Sequence, residues 1–274
     1  MFSTRIRQLG VALLLSLSFG EPLSAQADSI PRRRLWTWKD AAILEGFAIA
    51  TVAIAPLDTR IAQRLQNTNV QENVRMRQTA DFVRTVADPG SVVIGAGMYT
   101  YGRLAHNAKA ADLGLHGTES LFIGQQIGNL MKGIIGRARP YKDVNRPHDY
   151  NAFRGFAGGN DFRSFPSGHT IAAFAAASAV TSETYRWWPK TVWVIGPALY
   201  GGAAAVGWSR MFDNKHWASD VITGAAIGTF AGLKVVQWHH MHPGNRVDRI
   251  FLGPTVGPGP EGTTVVKLNF VPKF

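Results

Sequence analysis

Apolar stretches of helix length dominate this chain after residue 40, and they leave few folds open. Residues 41–56, 91–106, 113–135, 169–182, 191–208 and 217–238 are apolar and are separated by polar loops. The last three are rich in Ala and Gly, small residues that let helix axes approach closely. Residues 63–87 are more polar and read as an amphipathic helix ended by Asp88-Pro89-Gly90. Pro56 is expected to stop the first helix. Residues 136–165 form a loop rich in Arg, Pro, Gly and Asn, and the tail 254–274 holds Gly-Pro turns with one short alternating run of strand character. The expected fold is all-α, a single-domain bundle of about six core helices with its functional residues at one end.

Composition narrows the class. At 274 residues the chain can bury a substantial core unaided. It has no cysteine, which excludes disulfides, thiolate metal sites and cysteine nucleophiles. The net charge of +11 calls for an anionic partner: nucleic acid, anionic lipid or an anionic small molecule. Residues 1–27 read as a secretory signal peptide. Arg5 and Arg7 form its basic start, residues 11–19 its apolar run, and Ala25-Gln26-Ala27 its cleavage site. Export argues against nucleic acid. The chain then divides into N-terminal helices at 28–112, a core at 113–238 and a tail at 239–274.

Three charged patterns fall at the helix ends of that core. Lys132 is followed by Arg139-Pro140, Pro166-Ser167-Gly168-His169 precedes the fourth apolar stretch, and Ser209-Arg210 leads to His216 and Asp220. Lys132, Arg139 and Arg210 supply cations, and arginine presents a planar fork suited to phosphate oxygens. Ser167 and Gly168 stand where a helix begins, where backbone N–H groups and the helix dipole favour an anion. His216 and Asp220 are four apart, so they share one helix face. A carboxylate there can keep one imidazole nitrogen protonated and leave the other free to attack. His169, at the same helix mouth, is placed to act as a general acid. Singly, each pattern has an ordinary explanation: a basic residue at a helix C-terminus, a loop-to-helix turn, a surface ion pair. Their joint occurrence, in this order, does not.

These residues resemble the superfamily of type 2 phosphatidic acid phosphatases, bacterial acid phosphatases and vanadium haloperoxidases, whose three-part signature is met at every fixed position. The resemblance covers residues 113–238 and implies a hydrolase, a metal-independent phosphomonoesterase working outside the cytoplasm. By that resemblance His216 is the nucleophile that forms a phosphohistidine, Asp220 orients it, and His169 protonates the leaving alcohol. Lys132, Arg139, Ser167, Gly168 and Arg210 hold the phosphate. No metal and no cofactor is implied, and vanadate is expected to inhibit as a phosphate mimic. The scattering of acidic residues along the chain agrees with that.

Location and substrate stay open at this level. The family contains soluble periplasmic and integral membrane enzymes. Trp with Arg or Lys at helix ends, as in residues 32–40 and 186–190 and at Trp238, is a membrane-interface pattern. Against full embedding stand a mean hydropathy of −0.03 and the polar load of His116, Glu119, Gln125, Gln126 and Asn129 in one apolar stretch. The exported start favours a soluble or peripheral bundle over an integral one with an outward-facing site. The substrate is a phosphatidate-type lipid phosphate, an isoprenoid pyrophosphate or a small phosphate ester. Phe153, Phe156, Phe162 and Phe165 either line a substrate wall or anchor the loop. The competing functions are a vanadium-dependent haloperoxidase and a basic membrane-binding module without turnover.

Overall fold

The computed structural model describes residues 34–252, 255–258 and 264–267; the signal-peptide reading of residues 1–27 lies outside them. Eleven helices appear among the described residues: α1 (Trp38–Ile54), α2 (Asp58–Leu65), α3 (Thr68–Gln71), α4 (Val74–Thr85), α5 (Ser91–Leu104), α6 (Ala108–Ile135), α7 (Arg154–Ala157), α8 (Gly168–Trp187), α9 (Val192–Phe212), α10 (Ala218–Met241) and α11 (Arg246–Phe251). The class is all-α, with one antiparallel hairpin of strands β1 (Thr255–Pro258) and β2 (Thr264–Lys267) in the tail.

Two helix boundaries qualify the expectation. The regular helix α1 ends just before Pro56, as expected, but a short 3-10 turn, Ala55–Leu57, carries the chain straight on into α2. Proline is tolerated there because a first-turn N–H needs no intrahelical partner. The segment 63–87 is not one helix but parts of α2, α3 and α4, because two asparagines cap new starts. Asn67 Oδ1 accepts from the Asn69 N–H at 3.0 Å, and Asn73 Oδ1 from the Met76 N–H at 3.1 Å.

The helices α8 and α10 form the central pair, with α6 against both. Around them α5 packs on α6, α9 on α8, α4 on α9 and α1 on α10. Gly224, Gly228 and Gly232 put a small-residue stripe on α10. A Cβ at Gly224 would stand 2.7 Å from the Ser167 carbonyl, and one at Gly232 would stand 2.7 Å from the Ala175 carbonyl. This close backbone approach, possible only without side chains, brings the start of α8 against the start of α10.

This bundle buries charge beside its small apolar core residues while exposing large apolar side chains. Its interior holds Asp58, Arg137, Glu183 and Asp220, each 0% exposed. Its outer faces carry Val52 on α1, Leu104 on α5, Phe122 on α6 and Trp193 on α9, 73%, 74%, 65% and 81% exposed. An apolar exterior of this extent marks contact with lipid or with other apolar surface. Among the described residues, two helical segments are long and apolar enough to cross a membrane, Trp38–Leu65, which is almost unburied, and Ala218–Met241, which is mostly buried in the bundle.

Candidate active site

The site grows from the end of α6. Gly136 closes that helix with φ +57°, the left-handed conformation that glycine adopts without strain. The chain then enters a long loop stitched by backbone bonds: Ala138 N–H to the Asp149 carbonyl (2.9 Å), Arg139 N–H to that of Asp161 (2.9 Å) and Ser164 N–H to that of Arg137 (3.1 Å). The Trp217 indole N–H donates to the Ala138 carbonyl at 2.9 Å, tying the loop to the start of α10.

These elements, with α5, α6 and the end of α9, enclose a cavity of about 590 Å³. Lys132, Arg139, Gly168, His169, Arg210 and His216 all line it. The cavity runs along α6 from Lys132 past Asn129, Gln125 and Phe122 to Thr118, a length of about 21 Å at the helical rise. It is cationic at the Lys132 end and borders apolar Val92, Leu121 and Phe122 farther along.

His216 is buried, and its Nδ1 lies 2.7 Å from the Ser164 carbonyl oxygen. A carbonyl only accepts, so Nδ1 carries the proton and Nε2 keeps its lone pair. Burial, reinforced by the charges of Arg139 and Lys132 and opposed by Asp220, pushes the His216 pKa down to about 3. The imidazole is therefore neutral, which is its nucleophilic form. Arg139 reaches it with Nη1 3.4 Å from Nε2. That guanidinium is aimed by Asn160, whose carbonyl accepts from Nε and whose Oδ1 accepts from Nη2, both at 2.8 Å. Arg210 Nη1 donates to Asp213 Oδ2 at 2.7 Å, and Asp213 also receives Arg84 of α4 at 3.1 Å. At Gly168 a Cβ would lie 2.6 Å from Lys132 Nζ, so the bare backbone is what lets that ammonium reach the mouth of α8.

Ser167 and Asp220 sit behind the cavity wall rather than on it. The Ser167 N–H donates to the Asp220 carbonyl at 3.1 Å and its Oγ accepts from Thr170 at 2.8 Å. Ser167 thus joins two helix starts instead of offering its N–H to an anion. The Asp220 carboxylate is 3.6 Å from His216 Nδ1, farther than the Ser164 carbonyl. It is held by Arg137 Nη1 and Ser164 Oγ at 2.5 Å each and by the Trp217 N–H at 2.9 Å. The same Arg137 donates to Asp58 Oδ2 (2.8 Å), Ser219 Oγ (2.8 Å) and the Pro147 carbonyl (2.7 Å).

The sequence patterns miss Arg137, Ser164, Asn160 and Lys215. Arg137 stands two places before Arg139, but only the fold shows that it faces carboxylates from α2 and α10. None of the four loop phenylalanines lines the cavity. Phe156 packs its ring on Gly133 of α6 and Phe162 stacks 4.0 Å from the Arg154 guanidinium, while Phe153 is exposed.

A pocket of lysine and arginine around a neutral, oriented imidazole is equipped to hold a tetrahedral oxyanion and attack its central atom. Comparison with known proteins agrees with that chemistry. The lipid A 1-phosphatase of Rhizobium johnstonii is 40% identical over 111 residues, 39% of this chain and 40% of that protein. The lipid A 1-phosphatase of Porphyromonas gingivalis is 28% identical over 232 residues, 80% of this chain and 48% of that protein. This chain thus spans less than half the length of either relative. The crystal structure of a transmembrane PAP2 type phosphatidylglycerolphosphate phosphatase from Bacillus subtilis shares the fold, with TM-score 0.53 and 22% identity over 77% of this chain and 100% of the other. A family profile, the PAP2 superfamily, matches residues 115–243, the stretch that holds every cavity-lining residue of the three motifs. Residues 115–243, somewhat under half of this chain, are thus similar to the PAP2 superfamily.

Proposed function

We propose that this chain is a membrane-embedded phosphohydrolase acting on a lipid-linked phosphate through a phosphohistidine. The observation that carries the reading is the graded cavity, cationic around His216 and bordered by apolar Leu121 and Phe122, about 15–17 Å from Lys132 along α6. That gradient matches an amphiphile with a phosphate head and an apolar tail, either a phosphatidate-type lipid or an isoprenoid pyrophosphate. A small phosphate ester would leave most of the length unused.

In this mechanism Lys132, Arg139 and Arg210 hold the phosphoryl oxygens. His216 Nε2 attacks phosphorus as the bond to the leaving oxygen breaks, and His169 gives that oxygen a proton. The imidazolium so formed keeps its Nδ1 proton on the Ser164 carbonyl, and the Asp220 charge behind it stabilises the new positive charge. A water deprotonated by His169 then attacks the phosphohistidine, releasing phosphate and restoring both histidines. None of these steps calls on a metal, and vanadate would occupy the same cradle.

The apolar exterior supports embedding over a soluble bundle. Lys234 Nζ donates to the Leu35 carbonyl at 2.7 Å, so the start of α1 lies beside the last turns of α10, at the end remote from His216. An extracytoplasmic cavity therefore requires residue 34 to stay on the cytoplasmic side. The absence of cysteine permits single-cysteine labelling with an impermeant maleimide at Asn145 and at Lys190 to read the orientation. Phosphate release in mixed micelles tests the function. Wild-type turnover of phosphatidate well above that of p-nitrophenyl phosphate, abolished in His216→Ala, is expected. Equal turnover in both variants would exclude His216 as nucleophile, and halogenation by vanadate-loaded protein without phosphatase activity would favour the haloperoxidase chemistry.

A further inference from the structure

The acids that look scattered in sequence meet at the other end of the bundle. His116 and Glu119 lie on the first half of α6, Glu183 near the end of α8, His239 in the last turn of α10 and Asp248 on α11. Along α6, His116 is about 24 Å from Lys132, so this cluster is remote from the cationic end of the cavity, and none of its residues lines the cavity.

The rings of His116 and His239 stack with centroids 4.1 Å apart. Each ring has one nitrogen engaged by a carboxylate: His116 Nδ1 is 2.7 Å from Glu183 Oε1, and His239 Nε2 is 2.7 Å from Glu119 Oε2. The remaining nitrogens converge on Asp248 Oδ1, His239 Nδ1 at 2.6 Å and His116 Nε2 at 3.9 Å. Asn245, the cap of α11, fixes that carboxylate by donating to Oδ2 at 2.6 Å. His116 is 2% exposed, and among the described residues its Nε2 has no hydrogen-bond partner. The neutral tautomer with Nδ1–H donating to Glu183 would turn an Nε2 lone pair toward the lone pairs of Asp248. Among the described residues, the ion pairs of Glu119, Glu183 and Asp248 are all with histidine. A cation between the three atoms resolves the opposition.

We propose that His116 Nε2, His239 Nδ1 and Asp248 Oδ1, which lie within 4.8 Å of one another, bind a divalent transition-metal ion, with zinc the best fit. Two imidazoles and a carboxylate form a zinc-type donor set that leaves a fourth position open. A carboxylate on the far nitrogen of each ligating imidazole is the arrangement that fixes the tautomer and raises ligand basicity. Bonds of about 2.0–2.1 Å space tetrahedral donors about 3.3 Å apart, so the longer contact closes and the shorter opens by roughly 0.6–0.7 Å. The alternative set of His116, Glu183 and His240 uses Nδ1 and leaves the Nε2 lone pair unanswered. The ion would pin α11 to the ends of α6 and α10, a structural role apart from the phosphoryl chemistry.

The test uses the untagged full chain in detergent, stripped by chelation and titrated with Zn²⁺ and, for spectroscopy, Co²⁺. Stoichiometric zinc uptake, visible d–d bands with cobalt and a rise in thermal midpoint with zinc are expected. Asp248→Ala, on a short surface helix, removes all three while keeping the helical circular dichroism of the wild type. Glu119→Gln keeps every ligand and weakens zinc binding about 10–100-fold. Zinc uptake by the stripped wild type no greater than that of Asp248→Ala overturns the site, and so does cobalt binding without visible bands.

Discussion

Histidine occupies both ends of this bundle, and its neighbours set it to different tasks. At the cavity end, His216 is buried beside Arg139 with a carbonyl on Nδ1, so it stays neutral with Nε2 directed at the anion-binding side. At the far end, His116 and His239 are buried among Glu119, Glu183 and Asp248. Cations around an imidazole prepare it to meet an anion and attack it; carboxylates around a pair of imidazoles prepare them to share a cation. The same helices carry both ends, so the difference lies in the charges the fold brings to each.

The largest effect that would break this contrast is at the proposed nucleophile. His216→Ala should lower kcat/KM by roughly 10⁴-fold or more and leave zinc uptake at the far end unchanged. Loss of both would mean that the two ends are not independent. His169→Ala should lower kcat about 10²–10⁴-fold, most for substrates with poor leaving groups. A uniform loss across a leaving-group series would count against its role as the acid.

Arg137 tests the support behind the cavity wall. Arg137→Met leaves Asp58 and Asp220 buried without their cation, and denaturant unfolding should show a loss of about 3–5 kcal/mol. A loss under about 1 kcal/mol would mean that the carboxylates find other partners or protonate easily.

The pH response sharpens the same comparison. The His216 pKa falls from 6.5 to about 3 on folding, so its neutral form is the folded form. Its contribution to stability is complete above pH 6.5 and is lost as pH drops toward 3, where protonation requires a buried cation. The acid limb of kcat/KM should therefore fall well below the ordinary histidine range; a midpoint near 6.5 that persists in His169→Gln would show that His216 titrates normally. The smallest effect expected is from chelation, which should lower the thermal midpoint and leave kcat unchanged. Strong inhibition by chelator would place a metal in the phosphoryl chemistry.

Much of the cavity was legible in order along the chain. Lys132, Arg139, Gly168, His169, Arg210 and His216 stand at helix ends in a recognisable pattern, and a bundle of antiparallel helices puts such ends together. What the pattern does not contain is the second neighbour. Asp220 at i+4 stands 3.6 Å from His216 Nδ1, but a carbonyl from a loop 52 residues away in sequence lies nearer. Spacing along one helix reports which face a residue shares, not which other element reaches that face first. The helix breaks at Asn67 and Asn73 rest on two side-chain caps, which an amphipathic pattern over residues 63–87 does not distinguish from polar positions on one continuous helix.

The sequence alone determined the helical class, the small-residue seams and the cationic pocket, because helix periodicity, glycine stripes and motif spacing are local properties. Only the tertiary structure decided which way the apolar faces turn. The mean hydropathy of −0.03 sums over exposed and buried residues alike, and composition cannot tell an apolar side chain on the surface from one in the core. Likewise Glu119, Glu183 and Asp248 are far apart in the chain and become one charged cluster only when α6, α8, α10 and α11 end at the same place. Electrostatic fields depend on distance in space, which the chain does not specify until it has folded.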